Sequence, residues 1–257
     1  LIQINYLGGG KKVMSAFEVG NAVRKGVVDI GNTTGAFYTN LMPEADALKL
    51  TEMSIQEQRK SGAWDYLNQL HNQKVNAHYL ARIGDGMPFH IYLTRKIEGP
   101  DLKGLKIRVT PIYRNFVTAM GGTSVRTAPC EVFTALERGV VDGYGWPSQG
   151  IHDLGWHEVT KYRIDPGFYQ VDVGVLVNLD RWNSLSDDQR AFLTKQATWL
   201  ESLNGENAAI NKEEAAKQAG SGLQVITFTP EQADHYSALA RKAGWEAILA
   251  NNPETGP

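Results

Sequence analysis

Hydrophobic and polar positions along the chain alternate between two patterns, one typical of helices and one typical of strands. Apolar side chains recur at helical spacing in some stretches, and short β-branched runs bounded by glycine or proline follow them. The predicted strands cover residues 1–6, 27–31, 76–83, 88–94, 105–109 and 171–179. The predicted helices cover residues 12–25, 54–72, 111–120, 187–220 and 230–249. Such an alternation is typical of the α/β class.

A twelve-residue segment near the start of the chain returns 113 positions later. Residues 18–29 and residues 131–142 share seven identical positions, including the sequence Gly-Val-Val-Asp at the end of each copy. Each copy predicts a helix, a left-handed C-cap at Gly26 or Gly139, and then a short strand. Two such units at this separation predict two lobes that form a cleft, which is a common place for a small ligand.

A long helical pattern follows a capping box at residues 186–189 and runs without proline to Gly220. An unbroken helix of this length would measure about 50 Å and would therefore lie across both lobes. Two helices broken near Asn204-Gly205 are the alternative. We predict that residues 1–94 are mainly lobe I and that residues 95–184 are mainly lobe II with crossing strands. Residues 185–257 would then hold the lobe-spanning helix, a strand and the C-terminal helix.

Composition excludes two classes of partner. The chain has 26 basic and 28 acidic residues, so it offers no basic stripe for nucleic acid. No run approaches the roughly 18 apolar residues of a membrane span, so direct membrane insertion is not predicted.

The single cysteine, Cys130, cannot form an internal disulfide. The strand at residues 1–6 begins abruptly, which is consistent with removal of a signal peptide and absence of an opening element.

Enzyme signatures are mostly absent. Residues 7–12 lack the Gly-Lys-Ser/Thr ending of a phosphate loop, and residues 146–150 lack the first glycine of a nucleophile elbow. The six histidines lack the spacing of a zinc site, so neither a metal nor a cofactor is predicted. An enzyme acting on small carboxylic acids remains the alternative. Its general acid or base would be His90 or Asp172, although neither has a visible partner in the sequence.

Arg108 is the strongest candidate for a ligand contact. Alternation along the strand at residues 105–109 puts Lys106 and Arg108 on the face opposite the apolar positions. Arg108 lies at the strand's end, where ligands bind in open α/β lobes. Its planar guanidinium matches a carboxylate bidentately and stays charged. A structural ion pair at the surface is the competing interpretation.

Glycine-containing loops follow the strands of both repeats. Residues 29–38 offer Thr34 and Tyr38, and residues 142–149 offer Trp146 and Gln149. Aromatic side chains at such positions line either a ligand site or the core, and the sequence leaves both interpretations open.

With these residues identified, the chain resembles the solute-binding proteins of tripartite ATP-independent periplasmic (TRAP) transporters. The resemblance rests on residues 18–31, on Pro-Asp-Leu-Lys-Gly-Leu-Lys-Ile-Arg-Val at residues 100–109, and on residues 131–143. It implies a two-lobed periplasmic receptor that captures an organic acid and delivers it to a membrane-embedded, sodium-coupled permease. It also implies that Arg108 pairs with the ligand carboxylate and that residues 145–147 line the pocket.

Two departures from the family pattern bear on the ligand. The family usually begins with a further strand and helix, and many sugar-acid-binding members carry a second arginine in the stretch matching residues 87–94. Here no arginine precedes Arg95, and Trp146 replaces a smaller polar residue of some members. We therefore expect a small monocarboxylate with an apolar or aromatic remainder, and Thr34 and Gln149 as donors to its 2-oxygen. The predicted ligand-binding residues are Arg108, Trp146, Tyr38, Thr34, Phe89, His90, Gln149 and Phe168.

Overall fold

The chain folds as two units, each assembled from segments that are distant in sequence. The computed structural model describes residues 2–9 and 12–251. Unit 1 comprises the chain up to Asp85 together with Asp172–Gly205, and unit 2 comprises Gly86–Val171 together with the chain from Glu206 onward. The repeated segments at residues 18–29 and 131–142 therefore fall in different units.

Strands and helices alternate along the described chain, as the sequence pattern predicts. The strands are β1 (Ile30–Thr33), β2 (Ala77–Ile83), β3 (Pro88–Leu93), β4 (Lys106–Val109), β5 (Thr123–Arg126), β6 (Gly143–Pro147), β7 (Tyr162–Asp165), β8 (Phe168–Gln170), β9 (Val173–Asn178) and β10 (Gln224–Thr227). The helices are α1 (Val19–Arg24), α2 (Ile55–Ser61), α3 (Ala63–Val75), α4 (Arg114–Ala119), α5 (Val132–Glu137), α6 (Leu179–Asn183), α7 (Asp187–Ser202), α8 (Asn207–Gly220) and α9 (Pro230–Asn251). No helix within residues 2–9 and 12–251 has both the length and the apolar character of a membrane span.

The sheet of unit 1 has the strand order β1-β9-β2, and all its pairs are antiparallel. Thr33 on β1 and Arg82 on β2 both lie opposite Gly174 on the central strand. Helix α3 packs on this sheet, and the core between them contains Trp64, Tyr79 and other buried apolar side chains.

The sheet of unit 2 has the strand order β10-β7-β3-β6-β4-β5, and β8 pairs with β3. Strands β4 and β6 are parallel, whereas β3 runs antiparallel to β6. The carboxyl ends of β4 and β6 therefore lie at the same edge of the sheet as the amino end of β3. Ligands bind at such edges in open α/β sheets, so this edge is where a site is expected.

The two copies of the repeat adopt the same local structure. The left-handed Gly26 (φ 68°) and Gly139 (φ 66°) end α1 and α5. In the first copy, the amide of Gly26 donates to Val23 and the next amide donates to Ala22. The second copy makes the same bonds 113 positions later. This is a Schellman ending, as the pattern predicts. The hydrogen bonds of this ending extend past Gly26 to Val27, so β1 begins at Ile30 rather than at residue 27.

The predicted long helical segment is present from Asp187 to Gly220. It consists of α7 in unit 1 and α8 in unit 2, joined by a tighter 3₁₀ turn at Leu203–Glu206. The predicted capping box forms at Ser186 and Gln189. The 3₁₀ turn lies where the sequence left open a break, and the side chain of Asn204 in this turn is bonded to the backbone of the loop after β2. Its Oδ1 accepts a hydrogen bond from the amide of Gly84 at 2.8 Å.

Three further predicted elements differ from the structure. Residues 2–6 form no strand, and residue 1 lies outside the described residues. A strand needs a neighbour for its backbone groups, and no described strand pairs with this segment, so its side chains at positions 4 and 6 are exposed. The predicted helix at residues 12–25 is a 3₁₀ turn (Ala16–Glu18) followed by α1. The predicted helix at residues 54–72 is interrupted by the left-handed Gly62.

Candidate functional site

Arg108 lies near the carboxyl end of β4 in unit 2, and its side chain is fully buried. Its Nε donates a hydrogen bond to the carbonyl oxygen of Thr127 at 2.9 Å. Its Nη1 donates to the hydroxyl of Tyr113 at 3.1 Å. Its Nη2 is buried and has no hydrogen-bond partner among the described residues. A buried guanidinium nitrogen without an acceptor is unfavourable, so the position favours an anionic partner that the protein itself does not supply.

Tyr113 is a residue of this site that was not predicted from the sequence. Its hydroxyl donates to the carbonyl oxygen of Gly145 at 2.7 Å and accepts from Arg108. Burial raises the pKa of Tyr113 against the lowering effects of Arg108 and the hydrogen bonds, so the hydroxyl keeps its proton. The ring lies so close to β6 that a Cβ at position 145 would come within 2.6 Å of it. The only available signal was a tyrosine five residues after Arg108.

Trp146 and His90 share a sheet face with Arg108. His90 lies opposite Trp146, and Tyr144 lies opposite both Tyr92 and Arg108. Alternate residues of a strand point to the same face, so these side chains project together. The central guanidinium carbon of Arg108 is 5.8 Å from the centroid of the Trp146 ring, within cation–π range. The structure thus brings three of the predicted site residues together.

Phe89 and Phe168 lie on the other face of this sheet. Their ring centroids are 6.1 Å apart, and each is 5.9 Å from the ring of Tyr113. Both side chains are buried, and Phe168 also packs on Phe116 of α4. Phe89 and Phe168 therefore pack near the ring of Tyr113. Direct contact of either phenylalanine with a ligand stays a prediction.

Gln149 follows β6 and is already engaged by a neighbouring helix. Its Nε2 donates to Oδ1 of Asn211 on α8 at 2.8 Å, and the hydroxyl of Ser148 donates to the same oxygen at 2.8 Å. The same nitrogen also donates to Oδ1 of Asn207 at 3.4 Å, so donation to a ligand would require one of these two bonds to be given up. That role stays a prediction.

His90 has a charged partner, which the sequence did not reveal. Its Nδ1 lies 2.9 Å from the carbonyl oxygen of Ile164 and 3.0 Å from Oδ1 of Asp165. Two nitrogens of Arg163 also donate to the Asp165 carboxylate, at 3.0 Å each. Partial burial acts to raise the pKa of Asp165, but the hydrogen bonds from His90 and Arg163 outweigh it and hold the pKa below its usual value.

The two remaining candidates lie in unit 1. The hydroxyl of Thr34 donates to Oδ1 of Asp172 at 2.8 Å, and the amide of Gly35 donates to Oδ2 at 2.8 Å. Burial raises the pKa of Asp172 to about 6, although these two hydrogen bonds oppose it. Tyr38 is buried in the core, and its hydroxyl lies 2.9 Å from Nε2 of His71. A ligand role for Thr34 or Tyr38 stays a prediction.

A further group of buried polar atoms surrounds Gly174 in unit 1. The hydroxyls of Thr33 and Tyr79, and Nε and Nη1 of Arg82, have no partner among the described residues. Thr33 and Arg82 flank Gly174 in the sheet, and a Cβ at position 174 would lie 2.5 Å from the Tyr79 ring. The sequence pattern gives no sign of this group, because the proximity of its residues depends on the strand order.

The chain belongs to the bacterial extracellular solute-binding protein family 7, whose model matches residues 2–247. Among similar proteins is a monocarboxylate 2-oxoacid-binding periplasmic protein from Nostoc, which is 24% identical over 86% of the chain. The chain spans 63% of that protein's length.

Solved structures confirm the predicted two-lobed α/β fold. A TRAP periplasmic solute-binding protein from Desulfovibrio desulfuricans, solved with bound sn-glycerol-3-phosphate, has a TM-score of 0.80 at 22% identity. The match covers 91% of this chain and 77% of that one. A relative from Haemophilus influenzae with bound L-gulonate has a TM-score of 0.78 at 23% identity, covering 92% and 79% of the two chains.

Proposed function

We propose that this chain is the periplasmic receptor of a TRAP transporter, which binds a small organic monocarboxylate and delivers it to a sodium-coupled membrane permease. The observation that carries the proposal is the buried guanidinium of Arg108, whose Nη2 has no acceptor among the described residues. A ligand carboxylate would supply that acceptor in a charge-assisted hydrogen bond. Membership of a family of solute-binding proteins supports the same role.

The neighbours of Arg108 favour a ligand with one charge. Trp146 is partly exposed on the same face and offers an apolar surface beside the guanidinium. A second carboxylate near this surface would lose its hydration without gaining a cationic partner, which is unfavourable. Relatives of the same fold were solved with a phosphate ester and with a sugar acid. The bound anion therefore depends on the side chains of each pocket more than on the fold.

We further propose that no bond of the ligand is made or broken. One observation favours the alternative function of an enzyme. His90 contacts Asp165, and such a contact resembles the acid–base pairs of enzymes. However, Asp165 is also held by two nitrogens of Arg163, and its pKa is lowered, which makes it a weaker base. The receptor is therefore the better-supported function.

The test is a titration of the purified protein with a panel of monocarboxylates, dicarboxylates and sugar acids, followed by thermal unfolding. A receptor should gain about 2.7 kcal/mol of stability at a hundredfold excess of ligand over its dissociation constant. Mass spectrometry should recover the bound acid unchanged. Conversion of the acid, or no stabilisation by any acid of the panel, would contradict the proposal.

A further inference from the structure

The hydrogen bonds of His90 determine which of its ring nitrogens carries a proton. Nδ1 faces two acceptors, the carbonyl oxygen of Ile164 at 2.9 Å and the carboxylate of Asp165 at 3.0 Å. An unprotonated Nδ1 would place its lone pair against two oxygen atoms, so Nδ1 is the protonated nitrogen. In the neutral ring, Nε2 is then a hydrogen-bond acceptor.

The carboxylate of Asp165 is shared between His90 and Arg163. Two nitrogens of Arg163 donate to the carboxylate, so its negative charge is already compensated by a cation. A third nitrogen of Arg163 donates to Oε1 of Gln218 at 2.8 Å, which fixes the guanidinium in place. The carboxylate that faces Nδ1 of His90 is therefore held in place by Arg163, which fixes the contact on the Nδ1 side of the ring.

His90 shares a sheet face with Trp146 and Arg108 of the candidate site. His90 is buried, and its Nδ1 edge faces β7, on the side of β3 away from β6. The residue directly opposite His90 on β6 is Trp146, which is in cation–π range of Arg108. No described residue forms a hydrogen bond with Nε2.

We propose that Nε2 of His90 accepts a hydrogen bond from a hydroxyl group of the ligand, so that the protein selects hydroxy acids over the corresponding oxo acids. The inference rests on the proposed receptor function and specifies its ligand class. A hydroxyl group donates its proton to Nε2. The carbonyl oxygen of an oxo acid would instead oppose a nitrogen lone pair, and a buried acceptor would be left without a partner.

The first test compares matched pairs of acids by calorimetry at pH 7.5. The pairs are lactate and pyruvate, mandelate and benzoylformate, phenyllactate and phenylpyruvate, and 3-hydroxybutyrate and acetoacetate. We expect the hydroxy acid of at least one pair to bind about tenfold or more tightly than its oxo partner. Equal or tighter binding of the oxo acid in every pair, or no binding by any pair, would overturn the inference. If other acids of the wider panel still bind, the receptor function stands.

The second test uses two variants of His90. The amide nitrogen of His90→Asn can still donate to Ile164, but nothing replaces Nε2. The preference for hydroxy acids should disappear in this variant, while affinity for the oxo acid changes little. His90→Gln places a rotatable amide near the position of Nε2, which can donate or accept, so it should bind both acids of a pair. His235→Asn, at an exposed position on α9, is the matched control.

A direct measurement of the ring completes the test. Nitrogen-15 NMR of the imidazole should show a protonated Nδ1 and an unprotonated Nε2 in the ligand-free protein. A proton on Nε2, or a hydroxy-acid preference that survives in His90→Asn, would overturn the inference. Loss of all binding in His90→Asn with an unchanged melting temperature would also overturn it, because affinity for the oxo acid should not depend on Nε2.

Discussion

The hydroxyl of Tyr113 accepts a 3.1 Å hydrogen bond from Nη1 of Arg108 and donates one of 2.7 Å to the carbonyl oxygen of Gly145. Tyr113 therefore fixes the guanidinium of Arg108 to the neighbouring strand. Together with the bond from Nε to Thr127, this leaves Nη2 as the nitrogen without a partner among the described residues. The orientation of the Arg108 side chain is thus fixed by contacts within the protein itself.

Replacement of Arg108 should abolish tight binding of the acid. Arg108→Lys keeps the charge but loses the planar fork, so affinity should fall tenfold or more, because charge-assisted hydrogen bonds contribute about 1.5–3 kcal/mol. Calorimetry with the tightest acid of the panel measures this effect. Arg95→Lys, at an exposed position, is the matched control. Unchanged affinity in Arg108→Ala would exclude Arg108 as the anchor.

Tyr113→Phe should weaken both the fold and the site. It removes the donor to Gly145 and the acceptor of Arg108, so we expect a loss of about 1–3 kcal/mol in the free energy of unfolding and a several-fold loss of affinity. Urea unfolding and calorimetry measure the two effects.

Tyr79→Phe is the matched control for this substitution, because the hydroxyl of Tyr79 is buried without a partner among the described residues. The free energy of unfolding of the Tyr79→Phe variant should stay the same or rise, because the substitution removes an unsatisfied polar group. A comparable loss of stability in both variants would mean that the bonds of Tyr113 are not the cause of its effect.

Trp146→Ala should show whether the Trp146 side chain contacts the ligand or belongs to the hydrophobic core. The side chain is only partly buried, and its contacts include the ring of Trp156, with 4.6 Å between the ring centroids. We expect affinity for an aromatic acid to fall while the melting temperature changes little. A loss of stability of about 3 kcal/mol or more, as for a buried aromatic residue, would instead assign Trp146 to the core.

His71 should make the stability of the protein depend on pH. Burial lowers its pKa to about 4, against an ordinary value near 6.5. Between these values the unfolded chain binds the proton and the folded protein does not, so stability is lost as the pH falls from about 6.5 to about 4. The full effect of this residue is about 3 kcal/mol.

Urea unfolding at several pH values, with wild type compared with His71→Gln, isolates this contribution. The comparison is needed because other groups titrate in the same range. The pKa of His78 is also lowered to about 4, and the raised pKa of Asp172 acts in the opposite direction. Parallel pH profiles for the two proteins would contradict the prediction.

Local patterns predicted the parts of the fold that depend on neighbouring residues. The left-handed C-caps at Gly26 and Gly139 and the capping box at Ser186 are set by a few consecutive side chains, and they were predicted correctly. The strand at residues 2–6 was not, because a strand also requires a partner, which no short pattern can supply.

The same distinction applies to the candidate site. The strand position of Arg108 follows from alternation, so its place at the sheet edge was predictable. The contact of Tyr113 with Gly145 and the contact of His90 with Asp165 depend on which strands lie side by side. Strands β4 and β6 are neighbours in the sheet but distant in sequence, so their pairing could not be predicted from a local pattern. Thr34 was predicted as a ligand donor, and only the structure shows that it donates to Asp172.

Gly145 and Trp146 are adjacent on β6, and their positions face opposite sides of the sheet. Gly145 faces the ring of Tyr113 and cannot accept a side chain without displacing it, whereas Trp146 faces the opposite side of the sheet and is partly exposed. Under the proposed function, Arg108, which is hydrogen-bonded to Tyr113, would bind the carboxylate, and Trp146 would contact the remainder of the ligand. A biosensor library could vary position 146 freely while positions 108, 113 and 145 stay fixed. Its members should then differ in which acid they report, yet still require a carboxylate.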